Sequence, residues 1–392
     1  MKQLFSQKLF WGGLVSTILA VFIFTFAFMG STVNPVPEKL PIAIVVQDEG
    51  MKLPDGSSMN FGEMLKVKIN STENSSVKWS FLSSEEEAVN EMNEKKHYAA
   101  IVLPEGLSRD VFSLLSDNVI HPQVIMYINE GMNMTGATIS SQIVNGFLTT
   151  FNQQIQDQLF TQIEQSQIQI TMEQAKALTQ PIQIITEKIN PVGSKSANGN
   201  TPALFTQILW LTILISSMVL FMLQKKVSNR LTFRSISFQI VGGIVFVGTI
   251  SVFVLWITEG ILDVSIPNSG EMYVLMILIG LSFFFIQNAM LNWIGFAAAP
   301  LIILLFFFSM PILTMAPELL PSITQNGLYS WVPFRFSVEH FKDFLFFEAS
   351  PFENGVGTLA WIGIGSLVLM YLAFLKPQRG DKAQKERDRA GA

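Results

Sequence analysis

Six uncharged apolar runs decide what this chain can fold into: Phe10–Gly30, Ala203–Leu223, Ser237–Ile257, Met272–Phe285 continuing toward Gln287, Trp293–Met315 and Val356–Leu375. At about 1.5 Å of rise per residue, some 20 apolar residues cross a hydrocarbon core about 30 Å thick. The sequence therefore predicts a polytopic α-helical membrane protein with six transmembrane helices. Only Gln287, Asn288 and Asn292 separate the fourth run from the fifth. A five-span alternative fuses part of that pair into one broken or re-entrant helix. The first run follows Lys2 and Lys8, as a signal peptide would. It is longer than the usual apolar region of about 7–15 residues, and no small-x-small site follows at Met29–Ser31, which favours a retained anchor.

The short basic segments orient the spans, because Lys and Arg collect on the cytoplasmic side. Lys2 and Lys8 precede the first span, Lys225, Lys226, Arg230 and Arg234 follow the second, and Lys376, Arg379, Lys382, Lys385, Arg387 and Arg389 follow the sixth. With six spans all three segments share one side, so both termini are predicted cytoplasmic. The protein is accordingly placed in a bacterial plasma membrane as a multi-pass chain. Residues 1–30 hold the N-terminus and first helix, 31–202 an extracytoplasmic domain, 203–375 helices two to six, and 376–392 a basic cytoplasmic tail. The formal net charge of -5 then separates into 13 basic and 27 acidic residues outside, and 12 basic and 3 acidic inside. A basic inner face suits anionic lipid or an acidic protein surface. The acidic outer face excludes nucleic acid as a ligand there.

Within 31–202, a Pro-containing linker precedes the buried-type strand Leu40–Val46. A helix over Asn60–Val67, strands at Val77–Leu82, Tyr98–Leu103 and Gln123–Asn129, and a helix at Ser108–Ser116 follow. Ser84 and Glu87 have the spacing of a capping box at a further helix start. Alternating strands and helices over 40–133 predict a small α/β part. Residues 134–190 read as a helical stem. Ile139, Ile143, Phe147, Phe151, Ile155, Leu159 and Ile163 recur every four residues as one stripe on its long helix. The stripe is read as the packing seam of a helical hairpin, or else as a self-associating face. A second helix is expected over Ile168–Ile185, bent at Pro181. Residues 191–202, rich in Gly, Ser and Asn, read as a flexible linker.

Chemistry-bearing motifs are missing. No GxxxxGK[ST] phosphate loop, HExxH or GxSxG occurs; the three histidines are scattered and cysteine is absent. No catalytic residue, cofactor or metal site is predicted, and the chain is not expected to be an enzyme. No span carries a charge, so a proton relay through the bilayer has no residues to use. Gly363 to Ser366 lies inside an apolar span, where small residues serve helix packing. Glu259, Asp263 and Glu271 read as solvated loop acids. The loop between the fifth and sixth spans is anomalous. It carries Leu319, Leu320, Trp331, Phe334, Phe336, Phe341, Phe344, Leu345, Phe346 and Phe347, more apolar surface than a soluble loop exposes. Short helices re-entering the outer leaflet are predicted over 316–355, broken at Pro317, Pro321 and Pro333.

LPIAIVVQDEG at Leu40–Gly50, FGEML at Phe61–Leu65, VKWSFLSSEEEA at Val77–Ala88, KKHYAAIVLPEGLS at Lys95–Ser108 and MYINEGMN at Met126–Asn133 resemble, in order, signatures of the YhgE/Pip (phage infection protein) group within the type-2 ABC transporter permease superfamily. PELLPSITQNGLYSWVPFRFSVEHFKD at Pro317–Asp343 is similar to the segment such permeases place between their fifth and sixth spans. The chain departs from the group in a shorter outer domain and in only about nine residues before the first span. The resemblance implies a dimeric permease, as a homodimer or with a related permease, working with a separate cytoplasmic ABC ATPase and embedded in membrane lipid. It implies that Lys225, Lys226, Arg230 and Arg234 form the loop that couples to the ATPase. It also implies that Pro317, Pro321, Trp331, Pro333, Phe334 and Arg335 shape an outer gate. Two functions compete: an exporter of an amphipathic or lipid-like substrate, and a non-transporting receptor or scaffold. Six spans and a basic inner loop exceed what anchoring a receptor requires.

Overall fold

The computed structural model describes residues 36–53, 56, 58–71, 75–167, 169–227, 230–351 and 357–376, with Trp11, Val15, Ile18, Leu19, Val21, Phe22 and Thr25. Those seven early positions are helical; the rest of the first expected span, and the basic tail beyond Lys376, lie outside the described residues. The described chain divides into two compact units. One comprises Asn34–Val192 with Met315–Pro321; the other comprises Met1–Val33, Gly193–Thr314 and Ser322–Ala392.

The first is an α/β unit. Its strands are β1 (Leu40–Val46), β2 (Met51–Lys52), β3 (Ser58–Met59), β4 (Val77–Leu82), β5 (Ala99–Leu103), β6 (Gln123–Asn129) and β7 (Gln183–Ile189). Its helices are α1 (Phe61–Ser71), α2 (Glu85–Asn93), α3 (Leu107–Ser113), α4 (Met134–Ser166) and α5 (Met172–Thr179). Five strands form one sheet in the order β4-β1-β5-β6-β7, and β2 pairs with β3. β1 runs parallel to β4 and β5, β6 is antiparallel to β5, and β7 is parallel to β6. A strand covered on both faces needs an unbroken apolar run, and LPIAIVV and AAIVL supply it at the centre. Ile42, Ile44, Ala99, Ile101 and Leu103 pack with α1, α3 and α4 on one face. Ala43, Val45, Ala100 and Val102 pack with Ala88 and Met92 of α2 on the other.

Three expectations need correcting here. The four-residue stripe on α4 does not form one face. At 3.6 residues per turn each step of four drifts about 40°, so six steps carry the stripe far around the helix. Gly136, Ala137, Ser140, Val144, Leu148, Phe151, Ile155 and Leu159 are the buried positions, while Ile143, Phe147 and Ile163 sit at the margin of the sheet core and Ile139 is only half-buried. The second helix ends at Thr179, before Pro181, and the following residues form β7. β7 reads QIITEKI, with Thr186, Glu187 and Lys188 consecutive and exposed, so it lacks the solid apolar run that marks β1 and β5. The capping box at Ser84 is displaced by one residue. Ser84 Oγ accepts from Glu87 N, but the Glu87 carboxylate takes the amide and hydroxyl of Ser83.

The second unit is helical. It contains α6 (Thr201–Val227), α7 (Phe233–Gly260), α8 (Ser269–Ile294), α9 (Ala298–Leu313), α10 (Pro333–Phe346) and α11 (Gly357–Leu372), with short helical turns over Ser322–Tyr329. Among the described residues, four stretches are long and apolar enough to cross a membrane: Thr201–Val227, Phe233–Gly260, Ser269–Leu313 and Gly357–Leu375. The fourth and fifth expected spans thus share one stretch, interrupted at Gly295 rather than at Gln287–Asn292. α8 packs against α6, α7 and α11. Gly243 of α7 and Gly363 of α11 permit this approach: a Cβ would meet the Phe284 ring at 2.3 Å and Ser282 Oγ at 2.7 Å respectively. The expected flexible linker is a set of bonded turns, in which Ser196 accepts from Gly199 N and Thr201 Oγ1, and Lys195 pairs with Asp263 at 2.8 Å.

Candidate functional site

The polar residues that looked like a break between spans lie inside α8 and face its neighbours. Gln287, Asn288 and Asn292 are buried with Phe283, Phe284 and Leu291 on one 3.6-residue face. Gln287 Nε2 donates to the Trp210 carbonyl at 3.0 Å, and Ser217 Oγ donates to Gln287 Oε1 at 3.2 Å. Asn288 Nδ2 donates to Ser217 Oγ at 2.8 Å. Asn292 and Gln239 exchange amide bonds at 3.0 and 3.4 Å, and the Thr206 and Ser337 hydroxyls meet at 2.8 Å. In hydrocarbon an unpaired polar group costs several kcal/mol, so such pairs fix which helices meet and in what register. The seam retains spare capacity: Trp210 Nε1, Asn288 Oδ1 and Ser251 Oγ are buried without a partner.

The basic residues after α6 are not equivalent. Lys226, Arg230 and Arg234 are exposed around the α6–α7 connection, whose helix start is closed by a reciprocal Thr232–Ser235 capping box. Gln224 Nε2 donates to the Arg230 carbonyl at 3.3 Å. Lys225, exposed as well, also lies over two rings. Its ammonium lies 4.7 Å from the Phe221 ring centre and 5.3 Å from that of Phe296, and those rings meet edge to face at 5.2 Å. Phe296 follows Gly295, where φ is 68° and ψ is -151°, a conformation essentially reserved for glycine. On the other side of the break the Trp293 indole donates to the Leu369 carbonyl at 2.8 Å, and the Lys376 ammonium donates to the Trp293 carbonyl. The α8–α9 break is therefore tied to the ends of both α6 and α11.

The six expected gate residues divide between the units. Pro317 and Pro321 belong with the α/β unit, and Pro317 opens a 3-10 turn there. Trp331, Pro333, Phe334 and Arg335 belong to the helical unit, where Pro333 occupies the first turn of α10. Phe334 is buried against Trp210, Phe283 and Phe306, with ring centres 4.5, 5.9 and 6.3 Å away. Arg335 Nε donates to Glu339 at 3.0 Å, and its guanidinium covers Tyr329 at 4.9 Å. Trp331 is 56% exposed. The apolar excess of this loop goes chiefly into protein rather than lipid: Leu319, Leu320, Phe334, Phe341 and Phe344 are all buried.

A family model for ABC-2 family transporter proteins matches residues 8–375. The chain belongs to the ABC-2 transporter family. The "Uncharacterized protein YhgE" of Bacillus subtilis (strain 168) is 20% identical over 147 residues, 37% of this chain and 19% of YhgE. The chain thus spans about a fifth of that relative's length. A solved structure, "Crystal structure of a domain of a putative ABC type-2 transporter from Thermotoga maritima MSB8", is 19% identical with a TM-score of 0.26, covering 38% of this chain and 84% of that one.

Membership of the ABC-2 family supports a membrane transport role. Among the described residues no cluster of His, Cys, Asp or Glu could hold a metal. Sequence reasoning treated the seam residues Gln239, Gln287, Asn288 and Asn292 as separators or overlooked them. For Gln287, Asn288 and Asn292 the helical spacing from Phe283 and Phe284 was the available signal, since residues four apart share a face.

Proposed function

We propose that this ABC-2 family chain is the permease subunit of an exporter that moves an amphipathic or lipid-like substrate outward, driven by a separate ABC ATPase. In this reading it has six spans, both termini are cytoplasmic, residues 31–202 are extracytoplasmic, and the working form is a homodimer or a pair with a related permease. The observation that carries the reading is the uncharged interior of the spans, set against exposed cations at one connection. The buried seam of hydroxyls and amides presents no ionised group to an apolar passenger. Lys226, Arg230 and Arg234 are exposed at the α6–α7 connection, where an acidic ATPase surface would find them. Lys225 serves differently: through Phe296 it links that connection to the α8–α9 break.

Copurification from membranes tests this. The tagged chain is expected to bring down an ABC ATPase, and Lys226→Glu, Arg230→Glu and Arg234→Glu together are expected to abolish that association without lowering membrane yield. Reporters fused at Asn198 and Gly380 should report opposite sides of the membrane. Same-side signals overturn the topology, and an ATPase retained by the triple variant overturns the docking role.

A further inference from the structure

One segment belongs to a different unit from the helices it joins. α9 ends at Leu313 and α10 begins at Pro333, both in the helical unit, yet Met315–Pro321 belongs with the α/β unit. Its docking is specific. The Glu318 carbonyl accepts from Glu38 N at 2.9 Å, and the Glu318 carboxylate accepts from the Tyr98 hydroxyl at 2.8 Å. Ala316, Leu319 and Leu320 are 0, 1 and 3% exposed around it. Pro317 starts a 3-10 turn closed by Leu319 N to Ala316 O and Leu320 N to Pro317 O, which presents Glu318 between two buried apolar anchors.

Tyr98 has little freedom to point elsewhere. Its amide donates to the Pro41 carbonyl at 3.1 Å and its own carbonyl accepts from Asn129 N at 2.9 Å, so the backbone just before β5 is held from both sides. The ring lies on Gly136 in the first turn of α4, where a Cβ would come within 2.6 Å of it. Asn133 Oδ1 accepts from Gly136 N at 3.0 Å and fixes that turn. The side chain is 1% exposed, and a phenol buried to that degree needs a partner for its hydroxyl.

We propose that Tyr98 and Glu318 form a latch through which the α/β unit positions the connection between α9 and α10. A ligand or partner that shifts the first turn of α4 or the start of β5 then changes the restraint on the covalently continuous ends of both helices. Tyr98 and Glu318 are positioning residues in this scheme. It goes beyond the exporter reading and does not depend on an ATPase.

Hydrogen exchange of the full chain in lipid nanodiscs tests it. Tyr98→Phe keeps the ring and deletes the hydroxyl. Exchange over 315–321 and through the first turn of α10 is expected to accelerate about tenfold, with β1 and β5 unchanged. Glu318→Gln retains an acceptor for the phenol and should exchange close to wild type, whereas Glu318→Ala should match Tyr98→Phe. The chain has no cysteine, so a Glu38→Cys, Glu318→Cys pair reports docking without background. Its disulfide should form in membranes and suppress the acceleration caused by Tyr98→Phe. Acceleration confined to 315–321, equal acceleration of β1 and β5, no acceleration, or failure of the disulfide to form would each overturn the latch. ATPase copurification is read separately, so the two proposals fail independently.

Discussion

Buried polar side chains of the α/β unit include Asp48, His97 and Glu130, whereas those of α6, α7, α8 and α9 are hydroxyls and amides, among them Thr206, Ser217, Gln239, Gln287, Asn288, Asn292 and Ser309. The two sets answer to different surroundings. Asp48 accepts from Gly62 N and Ser108 N, both at 2.9 Å, and from the Ser108 hydroxyl, whose oxygen in turn accepts from Phe61 N. One carboxylate thus joins the starts of α1 and α3, where helix dipoles favour a negative charge. Glu130 is balanced by Lys188 at 2.7 Å. In a hydrocarbon-facing bundle no helix start or solvent is at hand to stabilise an ion, so neutral groups that satisfy one another replace charges.

The contrast breaks most severely at Asp48. Asp48→Ala strands several buried donors together, and the α/β unit is expected to lose about 3–5 kcal/mol. Pulse proteolysis in urea would show this as a sharp fall in the midpoint for residues 40–189. The reverse exchange sharpens the comparison. Asn288→Asp places a carboxylate in the seam, at a cost of up to about 2.5–3.5 kcal/mol, the figure for a charge at the centre of a span. A loss of monodisperse, membrane-extracted protein should follow. Asn288→Leu should be milder, because Ser217 can still donate to Gln287.

These two environments differed in how well the sequence announced them. β1, β5 and β6 were legible because central strands require compact apolar runs, the edge strand β4 because Val77, Trp79 and Phe81 recur at every second position, and α6, α7 and α11 because a span must be apolar along its length. β7 was hidden by its run of exposed polar residues, Thr186 to Lys188, and α4's stripe was misassigned because four is not 3.6. The seam was legible only through the four-residue spacing of Gln287 and Asn288 from Phe283 and Phe284, which puts them on a shared face without saying which helix covers it. The placement of Glu318 on Tyr98, 220 positions away, had no local signal at all. The basic cluster was legible as four charges, but not the approach of Lys225 to Phe296, which required knowing where the α8–α9 break falls.

That break gives a smaller test. Among the described residues no atom beyond Gly295 and its chain neighbours lies within 4 Å of a Cβ placed there, so Gly295→Ala acts through the backbone preference. A loss of about 1–3 kcal/mol is expected in the helical unit, read as a lower thermal midpoint in detergent. Phe296→Leu removes the ring beneath Lys225 and should cost about 0.5–1 kcal/mol, with the larger share lost at low salt.

The smallest expected effect concerns a charge that the α/β unit keeps at its surface. The imidazole of His97 donates from Nε2 to the Glu91 carboxylate at 2.7 Å, while Lys96 approaches the other oxygen at 3.2 Å. The hydrogen bond from His97 is the main reason the Glu91 carboxyl is held below the usual carboxylate range. Burial opposes it and Lys96 reinforces it. A carboxyl whose folded value is lowered binds protons less readily than it does in the unfolded chain, so stability rises with pH across the interval between the two. The contribution is complete above the unfolded value of about 4.3 and disappears as pH falls through the lowered folded value. Glu91→Gln should therefore flatten the acid arm of the stability profile of the α/β unit while leaving the profile near neutrality parallel to wild type. Urea titrations at stepped pH between neutrality and the acid arm measure both. An acid arm of unchanged slope in Glu91→Gln would show that His97 holds Glu91 no better in the folded chain than water does in the unfolded one.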